Sequence, residues 1–172
     1  SGRTLLQRKL KRWVALGALN AYDRPEVVFS QDWNFFRNGT AKYTALLVNE
    51  LDVPSYFIDA GSTVMTGSSL IPTPSGNIVR TAYRDWLWNV FNHTMEQQRP
   101  SWDLAAVFFA AEGYGDFLTK GEEGYLSFDS LQGSRWIPGE SHRPHHYIRQ
   151  KPGTDETFAD YLNQKISSVP SF

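Results

Sequence analysis

Hydrophobic positions along this chain follow two alternating rhythms. The runs "WVALGAL" from Trp13 and "SYFIDAG" from Ser55 are short, apolar and bounded by glycine, which predicts buried strands. In "AKYTALLVNEL", residues 41 to 51, and again from about Asn77 to Met95, apolar residues recur three and four apart instead. In the longer stretch Val79, Tyr83, Trp86, Leu87, Val90 and Phe91 fall on one face, the pattern of an amphipathic helix. A third helix is predicted from about Trp102 to Ala111, almost without polar residues. "GYLSFD" and "HHYIRQ" predict two short strands, a C-terminal hairpin joined by a loop from Ser130 to Pro144. "TDETFADYLNQKISSV" closes the pattern as a helix, with Thr154 as N-cap and Asp155 and Glu156 in its first turn.

The punctuation supports this order. Asn38-Gly39-Thr40 predicts a turn and N-cap, and Ser62 to Gly76 a polar, proline-broken loop. A basic amphipathic piece, "LLQRKLKR", precedes the first strand. The segment "NAYDRPEVVFSQDWNFFRNGT" that follows it is irregular and aromatic, the type of loop on which α/β folds bind ligands. Strand and helix alternating predict an α/β fold with a partly parallel sheet flanked by helices. With 172 residues and no internal repeat or linker, one domain over 1–172 is expected.

Charge and composition narrow the function classes. Seventeen basic residues against eighteen acidic ones give a formal charge of −1, which argues against a nucleic-acid backbone as partner. No apolar run approaches the ~20 residues that cross a bilayer, so a soluble chain without a membrane partner is expected. Without cysteine there is no disulfide framework, thiolate metal site or cysteine nucleophile. Two sequons, at Asn38 and Asn92, leave the compartment open between secreted and cytoplasmic. Aromatic residues make up 15%, and Trp33, Trp86, Trp88, Trp102 and Trp136 stand near turns and element ends, where rings line pockets.

Three constellations carry candidate chemistry. In "RPSWDLAAVFFA", Asp103 opens an apolar helix beside Trp102, where an acid either favours the helix dipole or meets a ligand. Ser101 fits the N-cap. In "QDWNFF", Asp32 and Asn34 flank Trp33, an acceptor and an amide that together grip sugar hydroxyls. In "SHRPHHY", three histidines stand close, but Pro144 interrupts them and no carboxylate has matching spacing. If "HHYIR" is a strand, His145 and His146 face opposite sides.

Together these segments resemble the inosine–uridine-preferring nucleoside hydrolases, in their divergent hydrolase-like branch. "KRWVALGAL" is similar to the family's strand ending in a Met-Gly-Gly-type turn. "DWNFFRNGTA" is similar to its Glu-Phe-Asn segment and helix start, and "RPSWDLAAVFFA" to its Ser-Trp-Asp-type segment. The resemblance implies the second half of that fold. It implies that Asp103 ligates an active-site Ca2+ and touches the ribose diol, that Asn34 contacts ribose, and that Asp32 binds the sugar's 5′ side. Trp33 and Trp102 stand in the same segments as substrate-binding candidates. The reaction implied is hydrolysis of an N-ribosyl bond through an oxocarbenium-like transition state. The family's Asp-x-Asp-x-Gly-x-Asp-Asp cluster, which supplies most calcium ligands and the base, has no counterpart in these residues. Trp102 stands where some members carry a histidine.

Two functions are therefore expected of different partners. One is part of a calcium-dependent N-glycosyl hydrolase, completed by a separate N-terminal polypeptide and acting on a nucleoside or sugar. The other is a non-catalytic relative binding a sugar or a protein. Half of an α/β domain leaves a sheet edge and an apolar face uncovered, so the chain is expected to pair with a complementary chain or with itself. Native mass spectrometry checks this: a heteromer or dimer is expected, and a lone 19.6 kDa species at high concentration contradicts it.

Overall fold

The computed structural model describes residues 2–18 and 29–168. In chain order the elements begin with helix α1 (Gly2–Lys9), strand β1 (Trp13–Leu16), the single helical turn α2 (Trp33–Phe36) and α3 (Ala41–Glu50). Strands β2 (Ser55–Asp59) and β3 (Met65–Thr66) follow, then a 3-10 turn (Ser68–Leu70), α4 (Ile78–Phe91), β4 (Arg99–Pro100) and α5 (Trp102–Glu112). The chain continues with β5 (Leu118–Lys120), β6 (Gly124–Asp129), β7 (Gly133–Pro138), β8 (His145–Gln150) and α6 (Asp155–Ser167). The fold is α/β. No described helix is long and apolar enough to cross a membrane.

The contacts divide the chain into two units, residues 1–60 with 106–150, and residues 61–105 with 151–172. The first holds a four-stranded mixed sheet in the order β1-β2-β8-β5. Parallel pairing sets Val14 beside Tyr56 and Tyr56 beside His146, while β5 runs antiparallel to β8. Parallel strands need apolar cover on both faces, and Phe57, Ile58, Tyr147 and Ile148 at the centre are fully buried. Phe57 meets Trp13, Phe35 and His145 edge-on, in the offset geometry that ring quadrupoles favour. The antiparallel hairpin β6–β7 adds Leu126, Phe128 and Trp136 to the same core.

The second unit is smaller. Leu70, Leu87 and Met95 form its centre, with Val79, Tyr83 and Ile166 packed around them. Asn77 caps α4 by accepting from the amides of Val79 and Arg80, and its own amide donates to the Ile166 carbonyl at the end of α6. Asn163 of α6 accepts from Ser69 at 2.8 Å, fastening the 3-10 turn. The two-residue pairing of β3 with β4 brings Thr66 opposite Arg99. Gly61 takes φ +89° where a Cβ would sit 2.5 Å from the Ser101 carbonyl oxygen, so only glycine fits this close approach.

Several elements differ from the sequence expectation. The partner of β6 is β7, which lies within the stretch expected as a loop; "HHYIRQ" instead joins the central sheet. Its alternation holds, for His145 is buried and His146 stacks on Tyr56 on the other side. The Ser62–Gly76 loop contains β3 and the 3-10 turn. Helix α4 stops at Phe91, four residues short of Met95, because Asn92 adopts the left-handed conformation at φ 54°. Of its expected apolar face only Leu87 is buried, and Trp86, Val90 and Phe91 stay exposed. Thr40 and Thr154 precede their helices as expected but make no side-chain cap; each hydroxyl donates to a carbonyl three residues back.

Phe57→Ala removes a ring with no exposed surface from between three aromatic neighbours. A loss of about 3–5 kcal/mol in unfolding free energy is expected, read by urea denaturation. A loss below about 1 kcal/mol contradicts this core assignment.

Candidate functional site

The candidate residues fall into two groups. Asp32, Trp33 and Asn34 belong to the first unit, and Trp102 and Asp103 to the second. Asp32 is the N-cap of α2: one carboxylate oxygen accepts from the Phe35 amide at 3.0 Å. The other accepts from the Ala18 amide at 3.0 Å and the Ser134 hydroxyl at 3.5 Å. Burial pushes the Asp32 carboxyl above its ordinary value, and those hydrogen bonds oppose the rise. Asn34 donates to the Leu16 carbonyl at 3.1 Å. Asn34 thus turns back onto the end of β1, and Asp32 ties the backbone at Ala18 to α2 and β7. Trp33 is 70% exposed, with the Arg37 guanidinium 5.8 Å from its ring.

Asp103 is placed differently. Ser101 is buried, but its hydroxyl is 2.7 Å from the Thr66 hydroxyl, which lies 2.7 Å from the Tyr83 hydroxyl. The serine expected to cap α5 is therefore occupied by a hydroxyl chain. Asp103, in the first turn and exposed, makes no hydrogen bond or ion pair with a described residue. A carboxylate that neither caps nor pairs has both oxygens available to a ligand.

Around it lies a pocket of about 320 Å³ lined by Tyr83, Trp86, Arg99, Trp102 and Asp103, among others. This is within the size range of small-molecule sites. Trp86 is half exposed, so one ring face is open to solvent. The Arg99 guanidinium lies 5.6 Å from the Trp86 ring, 4.8 Å from Phe91 and 6.0 Å from Trp102. Burial pushes the Tyr83 phenol up; its bond to Thr66 and the charge of Arg99 pull the other way, while Asp103 adds to the rise. Aromatic faces, one carboxylate and one phenol in one small cavity suit a ligand with a flat or CH-rich face and several hydroxyls.

A second, larger cavity of about 540 Å³ in the first unit is lined by Lys120, Glu123, Glu140, Arg143, His145 and neighbours. Its charges answer one another, as in the 2.9 Å pair of Lys120 with Glu123. The histidine cluster lies here. The Nδ1 of His145 accepts from the Leu126 amide at 3.2 Å, which puts the proton on Nε2. Burial, with the nearby Arg143 and His146 charges, holds its imidazole down to about 4. His145 is a neutral brace for β6.

Calcium takes six to eight oxygen ligands. The pocket lining offers one carboxylate, Asp103, together with the cationic Arg99. Among the described residues no group of three or more His, Asp or Glu side chains could hold a metal ion. The donor set of the described residues therefore does not fit a calcium site by itself. No family model, curated protein or solved structure matches the chain.

Sequence reasoning found Asp103 and Trp102 but did not single out Arg99, Tyr83 or Thr66 as site residues. Arg99 stood inside the quoted "RPSWD" segment, and a cation four residues ahead of Asp103 beside a tryptophan was the available signal.

Because the folded-state value of His145 is depressed, its proton favours the unfolded chain. Its stabilising contribution is full above pH 6.5 and is lost as the pH falls toward about 4. The urea midpoint is expected to fall across this window, and to fall less in His145→Asn, whose side-chain oxygen can still accept from Leu126. Parallel pH profiles for the two proteins contradict the buried neutral imidazole.

Proposed function

We propose that this chain is the sugar-contacting portion of a nucleoside-type N-glycosyl hydrolase, completed by a second polypeptide bearing the acidic strand. The observation that carries this reading is the unengaged Asp103 carboxylate in a pocket walled by Trp86 and Trp102. A sugar edge donates its vicinal hydroxyls to Asp103, and the indole faces cover its CH surface and exclude water. Calcium enters this reading only through the completing chain, to which Asp103 contributes one carboxylate.

A second reading is favoured by one observation. The pocket lining holds a single carboxylate, whereas glycoside hydrolysis ordinarily uses two. On that ground the chain alone binds a sugar without cleaving it.

Tryptophan fluorescence reads the pocket directly, because Trp86 and Trp102 line it. Titration with D-ribose and with inosine is expected to give a saturable change. Asp103→Asn is expected to weaken binding by about tenfold or more, the scale of a hydrogen bond to a charged group, with the thermal midpoint unchanged. No saturable change with either ligand contradicts the sugar site. Cleavage of inosine by the chain with its completing polypeptide, and not by the chain alone, separates the hydrolase reading from simple binding.

A further inference from the structure

Arg99 has no role in the sugar contact just described, yet the structure holds it firmly. It sits in the short β4 strand, half-buried, with its guanidinium against the rings of Trp86, Phe91 and Trp102. Such rings attract the cation and restrict its rotamers. They cannot accept its in-plane N–H bonds. No described residue does so either: the Arg99 guanidinium forms no ion pair or hydrogen bond with a described residue, although Asp103 lines the same pocket. Donors that no protein group meets are left to water, and the planar fork of a guanidinium matches a carboxylate or phosphate.

Charge also sets an orientation. An anion is attracted to Arg99 and repelled by Asp103, whereas neutral hydroxyls are welcome at Asp103 and at Tyr83. A ligand that satisfies both ends carries hydroxyls on one side and a negative group on the other.

We propose that the pocket takes an anionic sugar, its phosphate or carboxylate on the Arg99 guanidinium and its hydroxyls on Asp103. This inference rests on the sugar site proposed above and names the class of sugar it selects. Arg99 is the specificity-determining residue. A neutral sugar leaves its donors to water, so the negative group adds a charge-assisted contact that the neutral sugar lacks.

The test compares D-ribose, D-ribose 5-phosphate, D-ribonate and inorganic phosphate as fluorescence titrants of the full chain at low salt. At least one anionic sugar is expected to bind at least tenfold tighter than ribose, and its being the phosphate or the ribonate identifies the group Arg99 prefers. Arg99→Gln is expected to reduce that ligand to the level of ribose while leaving ribose itself unchanged. Should Arg99→Gln fail to fold, the salt dependence of the parent protein decides. The advantage of the anionic sugar shrinks as salt rises, and ribose binding does not.

Ribose binding without any gain from a phosphate or carboxylate overturns this inference and leaves the sugar site standing. Failure of every sugar to bind overturns both. Inorganic phosphate binding as tightly as ribose 5-phosphate also overturns it, since Arg99 is then an anion site indifferent to the sugar.

Discussion

A chain of three hydroxyls, Tyr83 to Thr66 to Ser101, with 2.7 Å at each step, governs the candidate site. Thr66 and Ser101 are buried, and an unpaired hydroxyl there costs about 1–3 kcal/mol, so the chain is strongly held. It fixes the start of α5 to β3 and to α4 together. It also takes Ser101 away from the helix amides it would otherwise cap. The Ser101 amide donates to Gly61 at 2.9 Å, and the absent side chain of that glycine lets the two backbones meet. Asp103, two residues on in the first turn of α5, is exposed.

The two aspartates singled out from sequence show how context decides a carboxylate's work. Asp32 has both oxygens engaged by amides and a hydroxyl, and it ties the backbone after β1 to α2 and β7. Asp103 has neither oxygen engaged by a described residue and lines a pocket with two indoles, a phenol and a guanidinium. Both stood beside a tryptophan in the sequence, with similar claims to a sugar. The hydrogen-bond inventory separates them.

What could be read from sequence follows from where the signal resides. Strands β1, β2, β6 and β8 and helices α3 and α6 carry their own hydrophobic rhythm, α5 a continuous apolar run, and each appears where that signal put it. Strand β7, "GSRWIP", carries only Trp136 and Ile137 as large apolar residues between a glycine and a proline, too few to show a rhythm; it forms by pairing with β6. The turn α2 exists through the Asp32 cap, and β3 and β4 through their mutual register, which are tertiary facts. The early end of α4 depends on one residue's left-handed backbone, which asparagine tolerates but does not announce. Asp103 was legible because a carboxylate is conspicuous at the mouth of an apolar helix. Arg99 and Tyr83 were not, since α4, β4 and α5 meet only in the fold.

On the proposed sugar site, Asp103 and not Asp32 is the ligand-facing carboxylate. Carboxyl-carbon and indole NMR resonances of the labelled protein, followed during addition of D-ribose 5-phosphate and of D-ribose, test it most directly. Saturable shifts are expected at Asp103 and at the Trp86 and Trp102 indoles, with Asp32 stationary. A shift at Asp32 with Asp103 and both indoles unmoved would contradict it.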